Sequence, residues 1–161
     1  MTIEQVFAEL RTVDPKWHVE IGEPGDHSGW IRRDAFCTAT DGPFNILLER
    51  IGDRLRTRDR LTVAASFALR FGWIASVAIA PFLTRGCVPR IRLSNISLKF
   101  REDTLFERTA VHEAVGPFAS APGADSDLLL QELRRELENQ AAPVVEALYQ
   151  WSGFSRKAPG G

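Results

Sequence analysis

The chain has 161 residues, of which 44% are hydrophobic and 25% charged, and these are the proportions of a soluble globular domain rather than of a disordered chain. The 20 basic and 21 acidic side chains leave a formal charge of −1, so no global excess of charge favours nucleic acid or an anionic membrane. The length fits a single domain over residues 1–161. The first ten residues lack the basic segment and apolar core of a secretory signal, so we expect a cytoplasmic protein.

Residues that ligate metals or act as nucleophiles are few. The two cysteines, Cys37 and Cys87, could pair, but we expect both to be reduced and buried in a cytosolic protein. The dipeptide His112-Glu113 begins like a zinc-protease motif, but Gly116 stands where the second histidine should be. The histidines lack metal-ligand spacing and are expected in loops or on the surface: His18, His27 and His112. We therefore predict no metal ligands and no catalytic residues in this chain.

Residues 1–42 form the first of two predicted segments. Apolar residues at helical spacing predict a short amphipathic helix that ends at Asp14-Pro15: Ile3, Val6, Phe7 and Leu10. The stretch from Trp17 to Asp41 is rich in glycine and other turn formers. It predicts a mostly irregular segment with one brief strand.

Residues 43–161 begin with two predicted helices. Pro43 suits the first turn of a helix of about three turns. Asp59 is a suitable N-cap for the longest apolar segment, Leu61 to Leu83, which Pro81 should bend or end. The segment is long enough to cross a membrane, but Arg70 near its midpoint would cost about 2.5–3.5 kcal/mol at a bilayer centre. Its many alanines suit close packing inside a protein, so we predict no membrane span.

The rest of the chain predicts a hairpin and a final helix. Apolar and polar residues alternate from Ile91 to Phe100, with Ser94-Asn95 as a bulge or turn, and from Thr104 to Val111, which predicts an antiparallel hairpin. Asp125 or Ser126 caps a last helix that Pro143 should kink or split. The fold class is thus α+β, mainly helical, with a small antiparallel sheet packed on the long apolar helix.

Arginine placement leaves two interpretations open. The arginines of residues 50–60 alternate with acidic residues, which is typical of a solvated helix face, so no nucleic acid partner is expected. Arg70 is different because an arginine inside an apolar helix is rarely buried without a partner. It either pairs with an internal acid such as Glu107 or faces an anionic ligand beside Trp73.

The order of these features resembles a known family, the ferric-siderophore reductases typified by FhuF, which are related to the C-terminal region of aerobactin-type siderophore synthetases. The resemblance covers residues 40 to 158. It is carried by three apolar motifs: Ala64-Ala65-Ser66-Phe67 through Arg70-Phe71-Gly72-Trp73 to Pro81-Phe82-Leu83, then Val88-Pro89, then Leu93-Ser94-Asn95-Ile96-Ser97-Leu98.

In that family, a tryptophan-containing segment leads into a cysteine cluster that ligates a [2Fe–2S] centre. Trp151 to Ala158 resembles the approach to this region, but no cysteine follows. Because such a cluster needs four thiolates, a cofactor is expected only if a further C-terminal segment exists, and this chain alone should be inactive as a reductase. It would be either a truncated reductase or a shortened relative recruited for binding.

The resemblance implies a ferric siderophore or another small anionic ligand as partner. We expect an apolar cleft with a few cations, which suits such a ligand. Its candidate ligand-binding residues are Arg70, Trp73, Arg85, Asn95 and Lys99. The alternative is a non-catalytic helical binding or scaffold protein that acts through a partner or as a homodimer.

Overall fold

The computed structural model describes residues 1–17, 19–25, 29–38, 40–103, 106–119, 123 and 125–153, without the side chains of residues 33 and 34. The chain is α+β and mainly helical, as predicted. Its α-helices are α1 Ile3–Val13, α2 Gly42–Leu55, α3 Arg60–Phe71, α4 Ser76–Arg85 and α5 Ser126–Trp151, and its strands are β1 Val19–Ile21, β2 Trp30–Arg32, β3 Ile96–Phe100 and β4 Phe106–Val111.

Three of the helices, α1, α3 and α5, begin at a residue whose side chain accepts a backbone hydrogen bond. Thr2 and Gln5 form a reciprocal capping box at α1. Asp59 accepts a hydrogen bond from the backbone N–H of Leu61 at the start of α3, and Asp125 accepts one from the backbone N–H of Asp127 at the start of α5. The predicted caps at Asp59 and Asp125 are therefore confirmed.

The long apolar segment is helical over Arg60–Arg85, with a 3₁₀ turn at Gly72–Ala75 between α3 and α4. Pro81 lies inside α4 and Pro143 inside α5, and each helix continues beyond its proline. Pro143 was predicted to kink or split the last helix. The helix is not split, so that part of the prediction is wrong. A proline removes only one backbone hydrogen bond, and buried neighbours such as Val77 and Val144 hold the flanking turns in the core.

The sheet has four strands in the order β1-β4-β3-β2. β3 pairs antiparallel with both β4 and β2, as the prediction of an antiparallel sheet requires. β1, however, pairs parallel with β4, with Val19 opposite Thr109, so the sheet is mixed. Alternation of apolar and polar residues does not encode strand direction, and three residues are too few to show it. The N-terminal segment holds two brief strands, β1 and β2, where one was predicted, because runs of three residues are too short to recognise from alternation.

A cluster of phenylalanine rings joins the sheet to the helices. The ring centroids of Phe67 and Phe100 are 5.9 Å apart, which places β3 against α3. Phe44 from α2 lies 4.9 Å from Phe67, and Phe36 lies 5.4 Å from Phe44. The predicted packing of the sheet on the long apolar helix is confirmed by these contacts.

After β4 the chain returns along the segment that follows α4. The backbone N–H of Val88 donates to the carbonyl of Pro117 at 3.0 Å, and that of Arg90 donates to Val115 at 3.0 Å. Gly116 lies between these bonds, where a Cβ atom would stand 1.9 Å from the carbonyl oxygen of Val88. Only glycine permits this approach of two backbone segments.

We expect Gly116→Ala to destabilise the fold by about 2–3 kcal/mol or more, because the clash is with backbone atoms that cannot rotate away. The matched control is Gly25→Ala, where an added Cβ meets nothing within 4 Å. Chemical denaturation monitored by tryptophan fluorescence measures both. Equal stability of the two variants would contradict this account of the close approach.

Candidate functional site

A buried glutamate joins the last helix to the segment before β3. The side chain of Glu136 on α5 is fully buried. Its Oε1 accepts hydrogen bonds from Arg90 at 3.0 Å and Arg92 at 2.6 Å. Its Oε2 accepts from the backbone N–H groups of Ile91 at 3.0 Å and Arg92 at 3.2 Å. Four donors thus satisfy one carboxylate.

This set of donors fixes the charge of Glu136. Burial opposes ionisation, but the hydrogen bonds from Arg92, Arg90 and Ile91 outweigh it and hold the pKa of Glu136 below its ordinary value. The hydrogen bond to Glu136 likewise raises the pKa of Arg92. The glutamate is therefore ionised at neutral pH and acts as an anchor for the arginines, not as a proton donor.

Two further residues of α5 extend the ionic network. Glu132 lies 3.6 Å from Arg90 and 2.7 Å from Arg135. The three guanidinium groups and the carboxylates of Glu132 and Glu136 sum to +1. The carboxylates of Glu23 and Glu113, which line the same cavity as Arg90 and Arg92, bring the sum to −1. The arginines keep 36% and 40% of their side chains exposed at positions 90 and 92, so their outer faces remain accessible to a ligand.

These arginines line a polar cavity of about 470 Å³, within the usual size of ligand sites. The remaining lining comes from the turn before β3, the loop after β4 and the N-terminal segment: Glu23, Ser94, Asn95, His112, Glu113 and Val115. Within the described residues, the Nε of Arg92 is buried without a hydrogen-bond partner. Because Glu136 holds Arg90 and Arg92 in place, the cavity offers fixed guanidinium donors on a concave surface.

Asn95 lies in this cavity, and its amide braces the cavity wall. Its Nδ2 donates to the carbonyls of Arg90 at 2.7 Å and Glu113 at 2.9 Å. Its Oδ1 accepts from the backbone N–H of Glu113 at 3.0 Å. Asn95 thus links the segment before β3 to the loop after β4 and fixes the separation of these two walls of the cavity.

His112 and Ser97 form a hydrogen-bonded pair beside the same cavity, with 2.8 Å between Ser97 Oγ and His112 Nε2. Ser97 is fully buried in β3, so its hydroxyl has no access to a substrate. This arrangement is structural and does not form a nucleophile with its base. His18 and His27 lie outside the described residues.

The other proposed ligand-binding residues lie at separate places. Arg85 pairs with Glu9 of α1, with 2.6 Å between Nε and Oε2. The Nζ of Lys99 lies 5.9 Å from the ring centroid of Trp30. Trp73 is 72% exposed in a shallow apolar groove. Trp73, Arg85 and Asn95 line three different cavities, so the structure does not bring them together.

Arg70 lies half-buried in the last turn of α3. The choice between Glu107 and an anionic ligand as its partner stays open, and both remain predictions.

The cysteines do not fit a thiolate-ligated iron–sulfur cluster. Neither cysteine forms a disulfide, and Cys87 is buried, as predicted. The prediction that Cys37 is buried is wrong, because it ends a short 3₁₀ helix at the surface. Burial raises the pKa of the Cys87 thiol to about 11, which disfavours the thiolate that iron requires. Among the described residues, no group of three or more histidine, cysteine, aspartate or glutamate side chains is placed to hold a metal ion. The tail from residue 154 to 158, which resembles the approach to the family's cluster, lies outside the described residues.

Sequence reasoning did not identify Glu136, although a signal was present. Glu136 continues the spacing of the buried residues of α5: Leu129, Leu133, Gln140 and Val144. A glutamate within an apolar helical stripe is rarely buried without cationic partners. That rule was applied to Arg70 and holds equally for Glu136.

Comparison with known proteins gives no assignment: neither a protein-family model nor a curated protein matches this sequence.

We expect Glu136→Gln to lower the free energy of unfolding by about 3 kcal/mol, because two guanidinium groups lose their common anion. The matched control is Glu138→Gln, which removes an exposed pair with Arg134 and should cost at most about 0.5 kcal/mol. Denaturant titrations of the three proteins measure the difference. A loss equal to that of the control would show that the anchor contributes little.

The advantage of the unaltered protein over Glu136→Gln should depend on pH. Because the pKa of Glu136 is lowered in the folded state, the advantage is complete above the pKa of an unfolded glutamate, about 4.3. It is lost as the pH falls through the lower pKa of the folded state. Unfolding measured from neutral to strongly acidic pH checks this, and an advantage that grew on acidification would have the wrong sign.

Proposed function

We propose that this chain is a FhuF-like protein that binds a ferric siderophore, or a closely related small, oxygen-rich anion, in the polar cavity beside Arg90 and Arg92. The proposal concerns binding, because two cysteines do not supply the thiolates for a [2Fe–2S] centre. A reductase function would need ligands from a further segment or a second protein.

One observation carries this proposal: Arg90 and Arg92 are held by a buried carboxylate while their outer faces line a cavity. Arginines fixed in advance lose little side-chain freedom when they bind an anion. They present planar donors that match the oxygens of carboxylate and hydroxamate groups. A half-open cavity of about 470 Å³ seats one face of a bulky metal complex.

The resemblance supports the same location. Two of its three motifs, Val88-Pro89 and the segment from Leu93 to Leu98, flank the arginines in the chain. Ser94 and Asn95 of the second motif line the cavity. One motif thus contributes lining residues to this cavity, whereas the motif from Ala64 to Leu83 lines the groove beside Trp73.

The test is isothermal titration calorimetry with a ferric citrate-hydroxamate siderophore, which is anionic, and with a ferric tris-hydroxamate, whose three hydroxamates neutralise Fe³⁺, as the uncharged comparison. We expect Arg92→Gln to weaken binding about tenfold or more, because a charge-assisted hydrogen bond is lost. Glu113→Gln removes an exposed negative charge from the cavity wall and should strengthen binding of the anionic complex severalfold.

Arg134→Gln is the matched control, because Arg134 is 80% exposed and does not line the cavity. Its affinity should equal that of the unaltered protein. Thermal unfolding of each variant separates loss of binding from loss of fold. Absence of heat with the ferric citrate-hydroxamate, undiminished binding by Arg92→Gln, or weaker binding by Glu113→Gln would overturn the proposal.

A further inference from the structure

The helix over Arg60–Arg85 has an apolar face that the described part of the chain leaves largely exposed. Only 39% of its most apolar 18-residue window is buried. Leu69, Trp73 and Leu83 are exposed at 79%, 72% and 74%, and all three line one shallow groove. The Ser76 hydroxyl in this groove donates to the carbonyl of Trp73 at 2.6 Å, so its proton is already used. A surface of this kind suits an apolar partner.

The opposite face of the same helix is fixed in the core. Val63, Ile74 and Val77 are buried, and the ring of the buried Phe67 packs against Phe100 of the sheet. The helix cannot present its whole circumference to an apolar solvent without leaving this core. An apolar layer can therefore meet the folded protein only along the exposed side of the helix, as it meets an interfacial helix.

Charge is distributed unevenly along the chain, and this helix lies in a positive part. The stretch from Arg54 to Arg85 contains six arginines and one acidic residue, Asp59, which gives a charge of +5. Because the whole chain carries −1, the remaining residues carry −6. Between Arg60 and Arg85 the sequence has no aspartate or glutamate. The apolar face thus belongs to a locally cationic segment of a nearly neutral protein.

A cluster of cations lies next to the apolar face. Arg54, Arg56 and Arg58 are exposed just before the helix begins, and within the described residues no carboxylate lies within ion-pair distance of them. Arg60 is also exposed and begins the helix, and Leu61 beside it is 53% exposed. The exposed apolar residues therefore follow directly on a group of positive charges.

We propose that this face binds the surface of an anionic lipid membrane, with the helix lying in the plane of the interface. Leu69, Trp73 and Leu83 enter the boundary between headgroups and acyl chains, and the arginines stay at the level of the anionic headgroups. Tryptophan favours this depth because its ring is apolar and its N–H is polar. Arginine reaches the headgroups through its long apolar stem. Membrane-surface helices in general combine these two features.

Charge favours a lipid surface over the other occupants of such a face. Two copies of the chain would bring two segments of charge +5 together, and these repel each other. A nucleic acid duplex matches the charge but presents phosphates, not an apolar surface, to Leu69 and Leu83. An anionic bilayer supplies the opposite charge and the apolar layer together.

Cosedimentation tests the proposal with vesicles of equal parts phosphatidylserine and phosphatidylcholine, and with pure phosphatidylcholine as the uncharged comparison. We expect binding to the anionic vesicles to be at least tenfold tighter than to the uncharged ones and to weaken at high salt, because the arginines act through screened charge. Equal binding to both kinds of vesicle, or binding to neither, would overturn the proposal.

The apolar contact is tested by Leu69→Glu. A charge at this exposed position should weaken binding to anionic vesicles at least tenfold, because it opposes entry into the acyl boundary. The matched control is Leu130→Glu, at a leucine of α5 that is 54% exposed and lies outside this face. Thermal unfolding checks that both variants fold. Undiminished binding by Leu69→Glu, or an equal loss in the control, would contradict the proposed contact.

The cationic cluster is tested by the double variant Arg54→Gln/Arg58→Gln, which should weaken binding about tenfold or more. The control is Arg101→Gln/Arg134→Gln, which lowers the net charge equally at two exposed arginines elsewhere on the molecule. This control should bind almost as the unaltered protein does. Equal weakening by the two double variants would show that only net charge matters and would refute a binding surface at this face.

Trp73 gives a direct signal of the contact. It is 72% exposed, whereas Trp17 and Trp30 are half-buried and Trp151 is buried. Fluorescence should therefore shift to shorter wavelength on vesicle binding. Trp73→Phe keeps an apolar ring, so it should still sediment with the vesicles but lose most of the shift. A shift of the same size in Trp73→Phe would place a different surface on the membrane and overturn the proposal.

A second copy of the chain is the competing occupant of this face. Sedimentation velocity without lipid should give a mass near the 18.0 kDa of one chain. A dimer that Leu69→Glu dissociates would assign the face to a second copy and overturn the proposal. These experiments contain no ferric complex, so their outcome does not depend on the siderophore proposal.

Discussion

The described structure depends on one buried carboxylate. Glu136 on the last helix is fully enclosed, and its four donors all come from residues 90–92. Loss of these donors would leave a buried carboxylate unpaired, which is very unfavourable in free energy. The interaction therefore holds α5 against the segment before β3. The same four donors fix the direction of the arginine side chains. Glu136 therefore contributes both to the stability of the fold and to the shape of the polar cavity.

The loop after β4 is subject to the same constraint. It lies against Val88 and Arg90 through backbone hydrogen bonds, and Asn95 joins its start to the carbonyl of Arg90. Gly116 is required for the closeness of this contact. The cavity is thus built from backbone held at several points, which suits a site that binds without large rearrangement.

Local sequence signals predicted much of the fold. Helix caps such as Asp59 act through neighbouring backbone groups, so the sequence alone locates them. The parallel pairing of β1 with β4 was not predictable in this way, because it depends on contacts between distant parts of the chain. In the candidate site, too, local features were predictable and long-range contacts were not. Asn95 was identified from its motif, whereas the ion pairs of Glu136 with Arg90 and Arg92 join positions more than forty residues apart.

The parallel pairing has a consequence for biosynthesis. Val19 finds its partner only at Thr109, on the far side of the three central helices. While the ribosome is making the chain, β1 emerges long before β4 exists, and it stays without its strand partner, between α1 and α2, until β4 is made. Contacts so distant in sequence slow folding and leave strand edges open to wrong partners. The nascent chain is thus most exposed to aggregation during the interval before β4 is synthesised.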